Sequence, residues 1–104
     1  MKFGVPQFFS WPQRRTTLQT VYERAMHRID IMDKTGYDAV WLAEHHFTEY
    51  SVCPSVHMMG MHIANKTQNI RIGTAVSLAA MYHPLTEFHA VLRVAGSYLS
   101  SKIL

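Results

Sequence analysis

The spacing of apolar and polar residues predicts one well-defined amphipathic helix in the first third of the chain. The run Thr16-Thr17-Leu18-Gln19 resembles a capping box, in which a threonine is followed three residues later by Gln, and it marks the predicted start. Gly36 has the character of a C-cap glycine and marks the end. Apolar residues recur between them at helical spacing, at Leu18, Val21, Tyr22, Ala25, Ile29 and Met32.

Three other apolar segments predict β-strands. They are Phe3–Phe9, Ala39–Ala43 and Ile70–Leu78. The middle segment is wholly apolar, which is typical of a strand covered on both faces in a parallel sheet. Pro6 donates no hydrogen bond to a β-ladder and belongs at an edge or a bulge.

Two more helices complete an alternation of strand and helix. Ser55 is a predicted cap for a helix that reaches about Lys66, and a helix over Leu85 to Leu99 follows the turn at His83-Pro84. Helices between strands imply parallel pairing with right-handed crossovers, so the fold class is α/β. A doubly wound sheet and the start of a TIM-type (β/α)8 barrel both fit. A barrel needs about 250 residues, so this chain would supply only about its first three β/α units. We expect residues 1–104 to form a single, partial domain.

Composition mainly excludes classes of protein. The chain is 48% hydrophobic, enough for a core, but no apolar run approaches the length of a transmembrane helix, and no signal-peptide pattern follows Lys2. The net charge of +3 is scattered, which argues against a nucleic-acid surface. The single cysteine, Cys53, forms no internal disulfide and suits a reducing cytoplasm. We therefore expect no membrane or nucleic-acid partner and a cytoplasmic location.

The most chemically informative residues follow the second predicted strand. Glu44, His45 and His46 lie at its carboxyl end, and in both candidate architectures chemistry collects beyond the carboxyl ends of parallel strands. The loops at Ser10-Trp11 and at residues 78–83 should reach the same rim. Two interpretations stay open: the histidines act on a ligand, or they cap the strand end by bonding to loop carbonyls.

A metal site is not expected from these residues. Neighbours in an extended chain point to opposite faces, so His45 and His46 would not easily share an ion. His57 and His62 are poorly spaced for one helical face, and no H-E-x-x-H motif exists. The glycine-rich motifs of Rossmann and P-loop nucleotide sites are also absent from the sequence.

Other features allow a structural and a functional interpretation. Gly73-Thr74-Ala75 would let another group approach the backbone closely, would mark a bulge, or would let a helix pack tightly on the strand. Met58, Met59 and Met61 are most simply core residues, with an apolar pocket as the alternative. Cys53 is expected to be buried and structural.

Four segments together resemble the luciferase-like flavin monooxygenases, the family of bacterial luciferase. They are "MKFG" at the start, "GYDAVWLAEHHFTEYSVCPS" over Gly36–Ser55, "IRIGTAV" over Ile70–Val76 and "HPL" over His83–Leu85. The resemblance covers roughly residues 1–85 in order and spacing. It implies a (β/α)8 barrel of which this chain holds the first units.

The resemblance also implies an activity. Family members use reduced FMN, supplied by a separate flavin reductase, and O2 as co-substrate to oxidise a small organic molecule, a long-chain aldehyde in the luciferases. Carried over by position, His45 is the catalytic acid/base, and an imidazole is suited to this because it titrates near neutral pH. Glu44 and His46 flank it at the cofactor. Ala75–Val76 matches a non-prolyl cis peptide on which the flavin ring packs.

The sequence departs from the family beyond this region. Thr86 stands where an arginine is usual, and the residues that hold the FMN phosphate come largely from later units of the barrel. Alternatives to a catalytic, truncated monooxygenase are a non-catalytic flavin-binding or structural partner subunit and an inactive fragment. The sequence does not specify the substrate, whether light is emitted, or whether the cofactor is FMN or a deazaflavin. Assembly as a homodimer and as a heterodimer both stay open.

Overall fold

The computed structural model describes residues 1–83 and Leu85. Five regular elements alternate along this part, namely β1 (Gly4–Gln7), α1 (Leu18–Thr35), β2 (Ala39–Leu42), α2 (Val56–Lys66) and β3 (Arg71–Thr74). Short 3-10 turns occupy Pro12–Arg14 and Ala79–Met81. Beyond Leu85 itself, the predicted third helix to Leu99 lies outside the described residues.

The three strands form one parallel sheet in the order β1-β2-β3. Val40 in the central strand pairs with Val5 on one side and with Ile72 on the other. A helix connects each strand to the next, which is the arrangement of βαβ units. The predicted α/β class and parallel pairing are therefore confirmed.

The third strand is shorter than predicted. Its ladder ends at Thr74 instead of Leu78, although the Ala75 amide still donates to the Leu42 carbonyl at 2.7 Å. Beyond Val76 the segment leaves the ladder, since the Leu78 amide donates to the carboxylate of Glu44 at 3.2 Å and a 3-10 turn begins at Ala79. The Ala75–Val76 peptide bond is cis, as the resemblance implied.

The caps of α1 confirm one prediction and correct another. Gly36 adopts a left-handed conformation with φ of 85° and ends the helix as predicted. The N-cap is Thr17, whose hydroxyl accepts from the Thr20 amide at 3.1 Å, so the capping box predicted at Thr16 is wrong by one residue. Gln19 instead donates to Glu23 one turn further along the helix.

Both helices pack against the same face of the sheet. Val40, Leu42 and Ile72 point towards them and are almost completely buried. Gly60 in α2 lies close to this face, since a Cβ atom placed on it would be 3.7 Å from Ile72 Cγ2 and 3.9 Å from Leu42 Cδ1. Alternate residues of each strand therefore form the core with the helices.

The burial of the methionines in α2 agrees with the prediction only in part. Met59 packs against the core, but Met58 and Met61 are 77% and 45% exposed. The prediction that all three belong to the core is wrong. The helix period places Met59 on the same side as the buried Ile63, whereas the other two face away from the sheet.

A buried carboxylate near the end of α1 holds the start of β3. Asp33 is 8% exposed and accepts hydrogen bonds from three successive amides, those of Gln68 at 2.8 Å and of Asn69 and Ile70 at 2.7 Å. Hydrogen bonds to a charged group are stronger than neutral ones. Asp33 thus fixes the turn that feeds the third strand into the sheet.

The opposite face of the sheet carries a tryptophan between two glycines. Trp41 lies between Val40 and Leu42 in sequence and so points away from the helices. A Cβ atom on Gly4 would lie 2.6 Å from Trp41 Nε1, and one on Gly73 would lie 2.5 Å from Cε3 and Cζ3. The indole therefore rests on the backbone of both neighbouring strands. The close approach that the sequence allowed at Gly73 is made by this side chain.

We expect Gly73→Ala to lower the free energy of unfolding by about 1–3 kcal/mol, because the new methyl group overlaps the indole of Trp41. Gly60→Ala is the matched control. Its Cβ would make ordinary contacts and it favours the helix, so it should raise stability by about 0.5–1 kcal/mol. Urea unfolding followed by circular dichroism measures both. Equal effects of the two substitutions would contradict the placement of Trp41.

We also expect Asp33→Ala to destabilise the chain by about 1.5–3 kcal/mol, since three amides lose a charged acceptor. Asp30→Ala, three residues away on the same helix, removes only an exposed ion pair with Lys34 and should cost about 0.3–0.5 kcal/mol. The same urea titration compares them. A cost at Asp30 as large as at Asp33 would contradict the structural role of the buried carboxylate.

Candidate functional site at the carboxyl ends of the strands

Three segments meet where the parallel strands end, as the sequence predicted. The segment after β1 pairs with the loop after β2, because the Val52 amide donates to Phe9 O and the Trp11 amide to Glu49 O, each at 2.9 Å. The loop after β3 joins them through the bond from Leu78 to Glu44. One rim therefore gathers the residues from all three connections.

Glu44 ties the ends of β2 and β3 together. Its side chain is completely buried, and its carboxylate accepts from His46 Nε2 at 2.5 Å and from the Leu78 amide at 3.2 Å. The His46 bond is to Oε1, whereas the Ser77 hydroxyl lies 3.5 Å from Oε2, the oxygen that also accepts from Leu78. The Glu44 amide donates to the Val76 carbonyl at 3.1 Å. Backbone and side chain of one residue thus hold the segment from Val76 to Leu78.

The ionised form of Glu44 is the favoured one despite its burial. Burial raises the pKa of the carboxyl group, but hydrogen bonds from His46, Leu78 and Tyr82, together with the charge of His46, outweigh it. The pKa of Glu44 is therefore lower than that of an ordinary glutamate. Glu44 is therefore expected to be ionised at neutral pH.

His45 points to the side of the sheet that carries Trp41. Its ring lies near two aromatic rings, with centroids 6.2 Å from Phe8 and 5.5 Å from Tyr50. Its Nδ1 is 3.3 Å from the Ala43 carbonyl, and its amide donates to the Cys53 carbonyl at 3.0 Å. A carbonyl only accepts, so Nδ1 holds the hydrogen of the neutral ring and Nε2 keeps a lone pair.

His46 turns the other way, as the alternation of an extended chain predicts. It donates to Glu44 and lies beside Phe47, with the ring centroids 6.0 Å apart. The two neighbouring imidazoles therefore serve different partners. Within residues 1–83 and at Leu85, no group of three or more His, Cys, Asp or Glu side chains is placed to hold a metal ion.

Small and accessible residues lie beside His45 at the end of β3. Ala75 is exposed and continues the register of the strands opposite Ala43, and Val76 is 60% exposed. The Val76 carbonyl accepts from the Glu44 amide at 3.1 Å, so this segment borders the strand end that precedes His45. Sequence analysis missed Phe8 as a neighbour of His45, although the alternation of β1 through Gly4 and Pro6 places Phe8 on the same side.

Cys53 is structural, as predicted. It is 1% exposed, and burial raises the pKa of its thiol to about 11, with the charge of Glu44 acting in the same direction. A thiol with so high a pKa is protonated at neutral pH and is a poor nucleophile. It contributes packing and not chemistry to the rim.

The comparisons with known proteins agree with this geometry. The family model of the luciferase-like monooxygenases matches residues 1–88. An alkanal monooxygenase alpha chain from Photorhabdus laumondii is 32% identical over 92 residues, which cover 88% of this chain and 25% of that one. The oxygenase component of a flavin-dependent trigonelline monooxygenase from Acinetobacter baylyi is 30% identical over 85 residues, covering 82% of this chain and 24% of that one.

A solved structure shares the fold. The oxygenating constituent of 3,6-diketocamphane monooxygenase from Pseudomonas putida, in complex with FMN, superimposes with a TM-score of 0.85 at 16% identity and covers 100% of this chain. The match covers 28% of that protein, and the chain spans about a quarter of the length of the two relatives above. In the part that the structure describes, no helix has the length and hydropathy to cross a membrane.

The lowered pKa of Glu44 predicts a contribution to stability with a defined sign. The contribution is complete above the pKa of an unfolded glutamate and is lost as pH falls through the lower folded value. We expect Glu44→Gln to be less stable than the parent chain at neutral pH, with the difference shrinking progressively in acid. Urea unfolding at a series of pH values from neutral to acidic measures it. A constant difference across the series would contradict the assignment.

Proposed function

The chain belongs to the luciferase-like monooxygenase family, and on that premise we propose that it takes part in a flavin-dependent monooxygenase reaction in which His45 handles the proton. Reduced FMN and O2 are the proposed cofactor and co-substrate, and an organic molecule such as an aldehyde is the proposed substrate. The observation that carries the proposal is the placement of His45. Its Nδ1 bonds to the strand-end carbonyl of Ala43, beside the open backbone of Ala75 and Val76.

The residues at the rim fit a flavin. Ala43 and Ala75 have the smallest side chains that carry a Cβ atom, and they lie side by side at the ends of β2 and β3. The exposed peptide between Ala75 and Val76 would support the ring, and Phe8 would border it. A bound reduced flavin supplies the electrons that activate dioxygen. The family places the residues that hold its phosphate in later units of the barrel.

His45 is equipped to move a proton at one defined atom. Because Nδ1 is held by a carbonyl, the proton is accepted or donated at Nε2. The neighbouring rings of Phe8 and Tyr50 fix the plane of the imidazole and limit access of water to it. Both effects favour a general acid/base over a histidine that only caps the strand, which was the alternative left open by the sequence.

Glu44 and His46 would serve the cofactor indirectly. The Glu44 carboxylate is buried and already accepts hydrogen bonds from His46 and Leu78. It would therefore act by holding the segment from Val76 to Leu78 under the ligand. His46 would keep that carboxylate ionised and oriented. Their proposed part in cofactor binding is thus to position Ala75 and Val76, which touch the ring.

The proposed partners follow from the names of the relatives. One of them is an oxygenase component, which supports a separate flavin reductase as the source of reduced FMN. Another is an alpha chain, which supports assembly with a second subunit, either a copy of this chain or a different polypeptide. The proposed location is the cytoplasm, because its reducing conditions suit the single thiol of Cys53.

A second candidate is a non-catalytic flavin-binding or structural partner subunit. It is favoured by one observation, the bond of His45 Nδ1 to the Ala43 carbonyl at 3.3 Å, because this is the contact of a histidine that caps a strand end. FMN binding without oxidation of any substrate would support this role. FMN binding together with turnover that depends on His45 would exclude it.

We expect His45→Ala to slow oxidation of decanal by a factor of about 10²–10⁴, which is the usual contribution of general acid–base catalysis to a reaction rate. Flavin binding should survive, because the imidazole does not support the ring. The assay uses chemically reduced FMN, O2 and the purified chain, with FMN affinity measured separately by equilibrium dialysis. His62→Ala, on the outer surface of α2, is the control and should keep the parent rate.

His46→Ala separates catalysis from positioning in the same assay. We expect a smaller effect on the rate and a weaker affinity for FMN, because Glu44 loses the donor that holds its carboxylate. An unchanged oxidation rate in His45→Ala would remove the catalytic role assigned to that residue. No FMN binding by the parent chain would refute the proposed function altogether.

A further inference from the structure

Three residues other than glycine have a left-handed backbone in the described part of the chain, and all three lie in loops at the rim. Gln13 and Arg14, with φ of 52° and 50°, follow β1, and Phe47, with φ of 55°, follows β2. This conformation is unfavourable for a residue with a Cβ atom, because that atom approaches the following carbonyl oxygen. It persists where neighbouring contacts enforce it, which is common at functional sites. The contacts of Arg14 show what holds its loop in this form.

Trp11, Arg14 and Glu49 form a clasp that holds the two loops together. The Trp11 amide donates to Glu49 O at 2.9 Å, and Arg14 Nε donates to Glu49 Oε1 at 2.7 Å. The Arg14 guanidinium carbon lies 5.4 Å from the centroid of the Trp11 ring, within range of a cation–π contact. The Trp11 indole itself donates to Thr16 O at 2.7 Å, just before α1. Glu49 is thus bound, through its backbone and its side chain, to a loop that is anchored beside the first helix.

The clasp lies next to the aromatic rings that pack against His45. Tyr50 follows Glu49 directly, and the centroid of its ring is 5.5 Å from that of the imidazole, with the two planes at 65°. Phe8, which precedes Trp11 in the same loop, contacts both rings, at 6.2 Å from His45 and 5.6 Å from Tyr50. One ring therefore comes from each of the two loops that the clasp joins.

His45 depends on these ring contacts because its own hydrogen bond is weak. The distance of 3.3 Å between Nδ1 and the Ala43 carbonyl exceeds the usual range for an N–H···O bond. Tyr50 is 63% exposed, so burial of its side chain does not hold it in place. The position of its backbone, fixed through the neighbouring Glu49, therefore decides whether the phenol ring stays against the imidazole.

The ordinary interpretation of the Arg14–Glu49 contact is a surface ion pair without consequence. The two side chains are 67% and 43% exposed, and such pairs contribute little to the free energy of folding. Two observations favour a local role instead. The pair coincides with the left-handed backbone of Arg14, and the Glu49 carbonyl is bonded to the same loop. The clasp should therefore change the geometry of the rim more than the stability of the chain.

We propose that Arg14 is a positioning residue for His45, because it holds Glu49 and so keeps Tyr50 against the imidazole. The inference rests on the proposed function for the part that His45 takes in a reaction, whereas the contact between the two loops does not depend on that function. Arg14 acts through Glu49 and Tyr50, and its role requires no contact with the reacting atoms.

The test compares Arg14→Gly with Gln13→Gly as the matched control. Both substitutions place glycine where the backbone is left-handed, so neither should lower the midpoint of urea unfolding, but only the first removes the ion pair. In proton–carbon NMR spectra of the full chain without flavin, Arg14→Gly should shift the His45 imidazole signals towards those of an unstructured peptide, because Tyr50 leaves the ring. Gln13→Gly should keep the parent signals.

Glu49→Ala removes the same ion pair from the other loop and should reproduce the shift of the His45 signals. It is the second variant if Arg14→Gly does not fold. Its backbone carbonyl still accepts from Trp11, so the loops stay paired while the side-chain contact is lost.

The oxidation assay distinguishes positioning from a merely structural role. Arg14→Gly should lower kcat by about tenfold, since a displaced catalytic group loses rate, while the affinity for FMN keeps its parent value. In the His45→Ala background the same substitution should have no further effect, because a positioning residue acts only through the group that it positions. A structural role would lower both rates alike.

The outcomes separate this inference from the proposed function. Shifted His45 signals in Arg14→Gly and Glu49→Ala, in a chain without turnover, support the clasp and refute the flavin reaction. Turnover with an unchanged kcat in Arg14→Gly, or an equal loss in the His45→Ala background, overturns the inference and leaves the reaction standing. Unchanged His45 signals in both clasp variants, or an equal shift in Gln13→Gly, also overturn the inference.

Discussion

The buried carboxylate of Glu44 is the interaction on which the candidate site depends. A carboxylate without solvent needs donors to remain ionised, and here His46, Leu78 and Tyr82 provide them. Because two of those donors come from the segment after β3, the charge holds together the ends of two strands. The loop that would support a ligand is therefore positioned by this carboxylate together with two backbone bonds to the end of β2, from the Ala75 amide to Leu42 and from the Glu44 amide to Val76.

One side of the sheet forms the core with the helices, and the other side faces the candidate site. The side towards α1 and α2 is a conventional core in which Val40, Leu42 and Ile72 pack against apolar helix residues. In the three described strands the other side carries glycine, alanine, Pro6 and Trp41, with Arg71 at one end and His45 beyond the other. Successive residues of a strand point to opposite sides of the sheet. Whether a side chain packs in the core or faces the site therefore depends on whether its position in the strand is odd or even.

The family explains why these residues are together in so short a chain. In the proposed function, His45 would act as the acid/base group and the backbone of Ala75 and Val76 would support the flavin. The chain spans about a quarter of the length of these relatives.

The sequence by itself determined the order of elements and the location of the rim. The helical period from Leu18 to Met32, the glycine at position 36 and the apolar run at Ala39 to Ala43 are local signals, and local hydrogen bonds and burial act on them directly. The family motif also predicted the cis bond at Ala75–Val76 correctly, whereas the catalytic role of His45 stays a prediction. Tertiary structure alone decided that Thr17 and not Thr16 caps α1, that Met58 and Met61 are exposed, and that Glu44 is internal. It also decided that Gly73 accommodates Trp41, a residue 32 positions earlier in the chain. Such contacts join residues far apart in sequence, and their energy depends on distances that no local pattern of residues specifies.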